Sequence, residues 1–184
     1  MEKTSQQAQN KLVKVVFYGP ESTGKTTLAK TLSQNYQTTW VPEFARDYLQ
    51  DKYNKTGKAC EISDIMTIAQ GQIDLENKRA QKANNYLFCD TNLLETYVYA
   101  RTYFPNQDFS ELKSWALQHH YDYYFLTDID TPWIPDDLRD KPKEREIMFK
   151  NFKNYLIEFE KKFYIIDGKL DKRLKKINVI LENQ

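Results

Sequence analysis

The sequence predicts an α/β fold, a three-layer sandwich in which helices cover both faces of a five-stranded parallel sheet. Its 184 residues, 40% of them hydrophobic, suffice for one domain with a substantial core. Five short apolar segments typical of strands alternate with segments of helical periodicity. Strands that alternate with helices form βαβ units, which build parallel sheets. A Gly-x-x-x-x-Gly-Lys-Thr sequence between the first strand and the first helix fits this architecture.

The predicted elements follow one another in regular order. The strands are expected at 14–18, 38–41, 86–89, 123–127 and 163–166. Apolar side chains at helical spacing follow Lys25 and recur within 62–73, 148–159 and 170–181. The polar stretch 1–11 is expected to form a flexible arm in front of a single domain at 12–184. The stretch 128–146, with three prolines and seven acidic residues, is expected to form a mobile lid.

Composition and charge exclude several classes of function. A formal net charge of +1 gives no bulk electrostatic attraction to nucleic acid or to an acidic membrane. No apolar run approaches the roughly 20 residues of a membrane-spanning helix, so no membrane insertion is expected. Cys60 and Cys89 form no Cys-x-x-Cys pair, and His119 and His120 are adjacent, so a zinc site is not expected. Free thiols favour a cytoplasmic location.

The turn after the first strand has the sequence of a phosphate-binding loop. Its glycines allow backbone N–H groups to point at phosphate oxygens, and the following helix adds the positive end of its dipole. Lys25 would reach the β- and γ-phosphates of ATP, and the Thr26 hydroxyl would bind Mg²⁺. The predicted ATP-binding residues of the loop are Gly19, Glu21, Ser22, Thr23, Gly24, Lys25, Thr26 and Thr27.

The third strand ends in "YLFCDTN", where Asp90 would bind the metal ion or accept the proton of an acceptor hydroxyl. Hydrolases of the motor type place a glutamate next, to orient water, whereas this chain has Thr91. GTPases carry Asn-Lys-x-Asp, and no such sequence follows the late strands. Both observations favour phosphoryl transfer to a bound acceptor. A helix cap is the alternative role for Asp90.

The second strand ends in "WVPEFARDYL", which places Glu43 and Arg46 one helical turn apart. Glu43 would accept the proton of an attacking hydroxyl or bind ribose hydroxyls. Arg46 would hold a phosphate or keep Glu43 ionised, and an ordinary surface ion pair is the alternative. Trp40 offers an aromatic face on which a flat heterocycle would stack, unless it belongs to the core.

Phosphoryl transfer also needs cations over the migrating group and exclusion of water. Arg139 and Arg145, in the segment 128–146, are the candidates, and a solvated loop is the alternative. At the end of the last strand, Asp167 and Gly168 are expected to border an adenine ring, because ligands of parallel sheets bind at the carboxyl ends of the strands. The run "DKRLKK" at 171–176 is interpreted as a solvated helix face.

Four segments together resemble a known family. "GPESTGKTTLA", "VPEFARDYL", "LFCDTNLLET" and "TDIDTPWIPDDLRD" are similar to the ribosylnicotinamide kinase domain of NadR-type proteins. The similarity implies a P-loop NTPase fold of the nucleoside-kinase type. It also implies an enzyme of NAD biosynthesis that uses MgATP to phosphorylate the 5′-hydroxyl of nicotinamide riboside, giving nicotinamide mononucleotide. The length implies a stand-alone kinase without the adenylyltransferase and DNA-binding parts of some relatives.

The resemblance and the residue patterns together define the predicted site. The catalytic residues are expected to be Lys25, Glu43, Asp90 and Arg139, and Arg139 and Asp167 extend the ATP-binding set. The metal ligands are expected to be Thr26 and Asp90. The acceptor-binding residues are expected to be Trp40, Glu43, Arg46, Asp90 and Trp133. Two positions depart from the family pattern: Asn92 replaces a frequent aspartate, and Asp137 replaces a glycine of the lid.

Two other hypotheses stay open. The same carboxylates suit any sugar hydroxyl, so the acceptor of the kinase is either nicotinamide riboside or another nucleoside or small metabolite. A regulatory module that senses ATP or NAD would bind these nucleotides without turnover. The sequence leaves open whether Glu43 or Asp90 is the base, and it leaves the oligomeric state undetermined.

Overall fold

The computed structural model describes residues 5–8, 11–135 and 144–183. Its strands are β1 (Val13–Tyr18), β2 (Trp40–Val41), β3 (Tyr86–Asp90), β4 (Tyr123–Thr127) and β5 (Phe163–Ile166). Its helices are α1 (Lys25–Asn35), α2 (Phe44–Thr56), α3 (Ile62–Ala80), α4 (Leu93–Tyr103), α5 (Ser110–Gln118), α6 (Arg145–Glu158) and α7 (Leu170–Glu182). The strands form one sheet in the order β2-β3-β1-β4-β5, and every neighbouring pair is parallel. The predicted α/β fold with a five-stranded parallel sheet is confirmed.

Both faces of the sheet are buried. Successive side chains of a strand point to opposite faces, so β1 contributes to two cores. Val15 and Phe17 pack with residues of α1 and α7. Val16 and Tyr18 pack with residues of α3, α4, α5 and α6. A parallel strand covered on both faces is apolar throughout, which explains the continuous run "VVFY".

The strand order places the site. β1 lies at the centre of the sheet. β2 and β3 lie on one side of it, and β4 and β5, which follow later in the chain, lie on the other. In such sheets ligands bind where the order reverses, at the carboxyl ends of the strands. Phe17 lies opposite Asp90 in the β1–β3 register. Asp90 is therefore fixed beside the loop that follows β1.

Several elements differ from the expected ones. β2 comprises Trp40 and Val41 alone, because the Thr38 hydroxyl donates to the Tyr86 carbonyl oxygen (2.7 Å) ahead of the ladder. Helices α2, α4 and α5 are absent from the predicted helical segments. None of the residues of α2 is fully buried, so this helix has no buried apolar stripe that periodicity could reveal.

Gly71, in α3, provides the space in which α2 begins. A Cβ atom at this position would lie 2.2 Å from Cε1 of Phe44, the residue that follows Glu43. Although alanine stabilises a helix by about 1 kcal/mol relative to glycine, we expect Gly71→Ala to destabilise the protein by roughly 1–3 kcal/mol through overpacking. Urea unfolding measures the change. Adding Phe44→Leu should restore part of the loss, whereas a Gly71→Ala variant more stable than the parent would contradict the tight contact.

The described part of the predicted N-terminal arm, residues 5–8, lies against α3. The backbone N–H of Ala8 donates to Asn77 Oδ1 (2.7 Å), and the Gln7 amide donates to Glu76 Oε1 (2.6 Å). None of the helices in the described ranges has both the length and the apolar character needed to cross a membrane.

Candidate active site

The loop between β1 and α1 has the geometry that its glycines predict. Gly19 and Gly24 have φ values of 139° and 86°, a region that favours glycine. A Cβ on Gly19 would lie 3.0 Å from Thr127 Oγ1 on β4, so the loop runs close to that strand. The buried Thr23 hydroxyl donates to the Pro20 carbonyl oxygen (2.8 Å) and is hydrogen-bonded to the Thr127 hydroxyl (2.6 Å). These contacts fix the loop on the sheet.

Lys25 is buried and makes three contacts through its ammonium group. It donates to the carbonyl oxygens of Gly19 (2.7 Å) and Pro20 (2.9 Å), and it lies 3.1 Å from Glu95 Oε1. The other carboxylate oxygen of Glu95 accepts from the Gly19 N–H (3.1 Å). Glu95, on α4, therefore contacts both Lys25 and the backbone of the phosphate loop.

Asp90 and Thr26, the two residues predicted to bind the metal ion, lie in contact with each other. The Thr26 hydroxyl donates to Asp90 Oδ2 at 2.5 Å, while Asp90 Oδ1 is buried without a hydrogen-bond partner among the described residues. Burial raises the pKa of Asp90, and Lys25, Thr26 and Lys30 oppose that rise. A hydroxyl, a carboxylate and an unsatisfied carboxylate oxygen beside a phosphate loop are the hard oxygen donors that Mg²⁺ prefers, so these residues fit the ion.

Glu43, immediately before α2, has an unusual protonation equilibrium. Burial raises its pKa to about 7, and the nearby Asp90 and Glu21 act in the same direction, whereas Lys25 and Arg46 oppose them. Burial also raises the pKa of Glu95, whereas the ammonium group of Lys25 lowers it. A carboxylate that titrates near neutral pH has the proton affinity that suits a general base.

Two cavities meet at Glu43. The first, here the loop cavity, has a volume of about 420 Å³ and is lined by the phosphate loop, Arg46 and residues of the segment after β4. The second, the aromatic cavity, measures about 240 Å³ and lies among α2, α3 and α4. Both are lined by Glu21, Glu43, Ala45 and Leu49. The aromatic cavity also contains Glu95, Tyr99, Tyr103 and Phe104.

The start of the predicted lid rests on the phosphate loop. Thr131 Oγ1 donates to the Ser22 carbonyl oxygen (2.7 Å), and the Ile134 N–H donates to Ser22 Oγ (3.0 Å). Arg145, at the start of α6, donates to the carbonyl oxygens of Thr131 (2.9 Å) and Ser22 (3.3 Å). The structure thus places Arg145 over the loop. Arg139 lies outside the described residues, as does Asp137.

Arg173 corrects the interpretation of "DKRLKK" as a solvated face. Its side chain is 2% exposed and donates to the carbonyl oxygens of Thr23 and Gly168, and it forms an ion pair with Asp130. It therefore ties the phosphate loop to the β5–α7 turn and to the start of the lid. A third cavity of about 500 Å³, lined partly by Gly24, Gly168 and Arg173, lies here.

Three predicted site residues lie elsewhere. Trp40 packs into the core on the α1 face, with the Lys30 amine 5.1 Å from its ring centroid. The Trp133 ring lies 5.6 Å from the Arg145 guanidinium carbon. Neither tryptophan lines the loop cavity or the aromatic cavity. The Asp167 carboxylate pairs with Lys172 and Lys176, which hold its pKa near 2, and its neighbour Gly168 borders the third cavity instead.

Asn92, rather than Asp90, is the N-cap of α4. Its side chain accepts a hydrogen bond from the Glu95 backbone N–H (3.1 Å). Sequence reasoning missed the role of Glu95, because an acidic residue three positions after an Asn cap is the ordinary pattern of a helix start. It also missed Tyr99, which lies one turn further along the same helix and lines the aromatic cavity.

The chain is similar in sequence to curated NadR proteins. The chain is 29% identical over 147 residues to the trifunctional NAD biosynthesis/regulator protein NadR of Salmonella typhimurium, a match to 80% of this chain and 35% of that protein. It is 28% identical over 144 residues to the Escherichia coli protein of the same name. The chain spans about a third of the length of these relatives.

Solved structures show the same fold. A NadR protein in complex with NR superposes with a TM-score of 0.80 at 24% identity, over 94% of this chain and 51% of that chain. Thymidylate kinase from Candida albicans gives a TM-score of 0.67 at 15% identity, over 94% of this chain and 92% of that chain. Thymidylate and deoxyadenosine kinases are thus among the proteins that share the fold, and the predicted resemblance to NadR-type proteins is confirmed. Because a sequence model of the AAA domain matches residues 14–173, which is most of the chain, this protein belongs to the AAA domain family.

Proposed function

We propose that this protein transfers the γ-phosphate of ATP to the 5′-hydroxyl of nicotinamide riboside, giving nicotinamide mononucleotide. The single observation that carries the proposal is the composition of the aromatic cavity. Three carboxylates, those of Glu21, Glu43 and Glu95, line it together with three aromatic rings. Nicotinamide riboside is an aromatic cation, and such a group gains from both carboxylates and ring faces. The relative solved in complex with NR supports the same acceptor.

The donor side follows from the loop. The backbone N–H groups of 19–24 and the N-terminus of α1 would hold the phosphates, and Lys25 would reach the β- and γ-phosphates. The base of the nucleotide would occupy the third cavity, beside Gly168 and Leu170. Arg145, already hydrogen-bonded to the loop, is placed to approach the transferring phosphoryl group. Thr26 and Asp90 would hold Mg²⁺, which supplies charge neutralisation at the phosphates.

The two candidate bases, Asp90 and Glu43, have different surroundings and are proposed to have different roles. Asp90 accepts a hydrogen bond from the Thr26 hydroxyl, which supports a role beside Thr26 in binding the metal ion. Glu43 lines both cavities and therefore lies where an acceptor hydroxyl would meet the γ-phosphate. We assign Glu43 as the base that takes the proton of the 5′-hydroxyl. Exclusion of water from the place where the two cavities meet would favour transfer of the phosphoryl group to the nucleoside rather than to water.

A substrate panel tests the proposal. With MgATP, nicotinamide riboside should be phosphorylated at least about tenfold more efficiently than adenosine or thymidine, because neutral nucleosides gain no charge attraction in the cavity. Nicotinic acid riboside is the matched control, since it keeps the pyridinium ring but has, in place of the carboxamide, a carboxylate that the three glutamates would repel. Chromatography of the products gives each kcat/KM.

Two outcomes would redirect the assignment. Turnover of a neutral nucleoside with no product from nicotinamide riboside would make the protein a kinase for another acceptor, as in the thymidylate and deoxyadenosine kinases that share its fold. Tight binding of ATP or NAD without any turnover would make it a nucleotide-sensing module.

A further inference from the structure

All three N–H donors of the Lys25 ammonium group have partners within the protein. An ammonium has three N–H donors, and they meet the Gly19 oxygen, the Pro20 oxygen and Glu95 Oε1 at 2.7–3.1 Å. The side chain is 7% exposed. To bind the β- and γ-phosphates, Lys25 must therefore give up at least one of these partners. Glu95 supplies the charged partner and hence the strongest of the three.

Glu95 is also the side chain that joins the loop to the aromatic cavity. One carboxylate oxygen contacts Lys25, the other accepts the Gly19 N–H, and the residue lines the cavity in which an acceptor would lie. Asn92 caps α4 through the Glu95 N–H, which fixes the backbone from which this side chain extends. A cation that enters the aromatic cavity therefore interacts directly with Glu95, the carboxylate that pairs with Lys25.

We propose that Glu95 couples the two ligand sites, holding Lys25 against the loop carbonyls until a cationic acceptor enters the aromatic cavity and competes for the carboxylate. Lys25 then turns towards the phosphates of ATP. Glu95 is a positioning residue in this scheme, because it acts through Lys25. The inference rests on the proposed function, since it takes the acceptor to be a cation.

The coupling has a defined thermodynamic form. If the acceptor strengthens ATP binding by some factor, ATP must strengthen acceptor binding by the same factor. A lysine that engages the phosphates only beside an acceptor also protects ATP from transfer to water. The coupling should depend on the acceptor's charge, so a neutral nucleoside that enters the same cavity should leave the ATP affinity unchanged.

Calorimetric titrations test the scheme in the intact protein. The dissociation constant of Mg-AMP-PNP is measured alone and with saturating nicotinamide riboside, for the parent chain, for Glu95→Gln and for Glu111→Gln. Glu111 is an exposed residue of α5, so its variant is a charge-matched control. In the parent and the control, the acceptor should tighten Mg-AMP-PNP binding by about tenfold, within the usual range of coupling between sites. Glu95→Gln should bind Mg-AMP-PNP about tenfold more tightly without acceptor and gain nothing further when the acceptor is added.

The outcomes separate the scheme from the proposed function. If nicotinamide riboside does not bind the parent chain, the proposed function fails, and the Mg-AMP-PNP affinity of Glu95→Gln still decides whether Glu95 restrains Lys25. If the acceptor binds but the affinity for Mg-AMP-PNP stays the same in the parent chain, the coupling is refuted while the function stands. Equal coupling in the parent and in Glu95→Gln refutes the role of Glu95. Should Glu95→Gln not fold, the parent titrations are repeated with a neutral nucleoside that binds the cavity, and a neutral nucleoside that tightens Mg-AMP-PNP binding as much as nicotinamide riboside does refutes competition for the Glu95 carboxylate.

Discussion

Replacing Lys25 with alanine is expected to lower kcat/KM for phosphoryl transfer by about 10²–10³-fold, the usual cost of one preorganised donor at a developing charge. Lys25 belongs to the loop that would hold the γ-phosphate, and its buried position strengthens its interaction with charge. The loss should appear in the rate at saturating ATP as well as in ATP affinity, because charge builds up on the phosphoryl group in the transition state. Steady-state production of the mononucleotide measures both.

The fold should survive this substitution. Removing Lys25 leaves Glu95 without its cationic partner, but burial raises the pKa of Glu95 and the variant lacks the lysine that lowers it, so the carboxyl group can take up a proton while it still accepts the Gly19 N–H. Lys150→Ala, which removes an exposed cation from α6, is the matched control and should keep the parent rate. If the Lys25→Ala variant keeps the parent rate, the proposed role of the phosphate loop in phosphoryl transfer is wrong.

The sheet could be predicted because its strands are apolar runs closed by turns. β4 and β5 have the predicted bounds, and β1 and β3 differ by one residue at one end. The order of the strands, by contrast, depends on which helices cover which face, and no local pattern contains that information. Helix α2 is missing from the predicted helical segments for a related reason, since it packs against α3 with no fully buried residue to mark an apolar stripe.

The site could be predicted where it consists of local sequence. The loop, Glu43 and Asp90 all follow strands directly, so the fold class alone brings them to one edge. Glu95 and Arg173 could not be predicted, because each reaches the loop from a helix far away in sequence: Glu95 contacts Gly19, and Arg173 contacts Thr23. The sequence around Glu95 is that of an ordinary helix start, and the sequence around Arg173 is that of an ordinary basic helix face.

Trp40 shows the converse case. The sequence left open whether Trp40 stacks on the acceptor or belongs to the core, and alternation along β2 turns it to the α1 face while Val41 joins the opposite core. The rings that line the cavity come instead from α4 and from the residue after it. Proximity in sequence to a catalytic residue does not determine the face of the sheet on which a side chain lies.

Glu43→Gln is expected to lower kcat by about 10²–10⁴-fold, the range for loss of a general base, with a smaller change in KM. Glutamine keeps the size and hydrogen-bonding capacity of the side chain, so the loss would reflect its inability to accept the proton. Asp47→Asn, which removes an exposed carboxylate from the first turn of α2, is the matched control and should retain the parent kcat.

The pH profile distinguishes a base from a residue that only binds. A base must be deprotonated to act, and burial has raised the pKa of Glu43 to about 7. The kcat/KM of the parent enzyme should therefore fall tenfold per pH unit below that pKa and level off above it. In Glu43→Gln the residual rate should lose this acidic limb. If Glu43→Gln keeps the limb and Asp90→Asn abolishes it, the base is Asp90, and Glu43 serves only to hold the ribose.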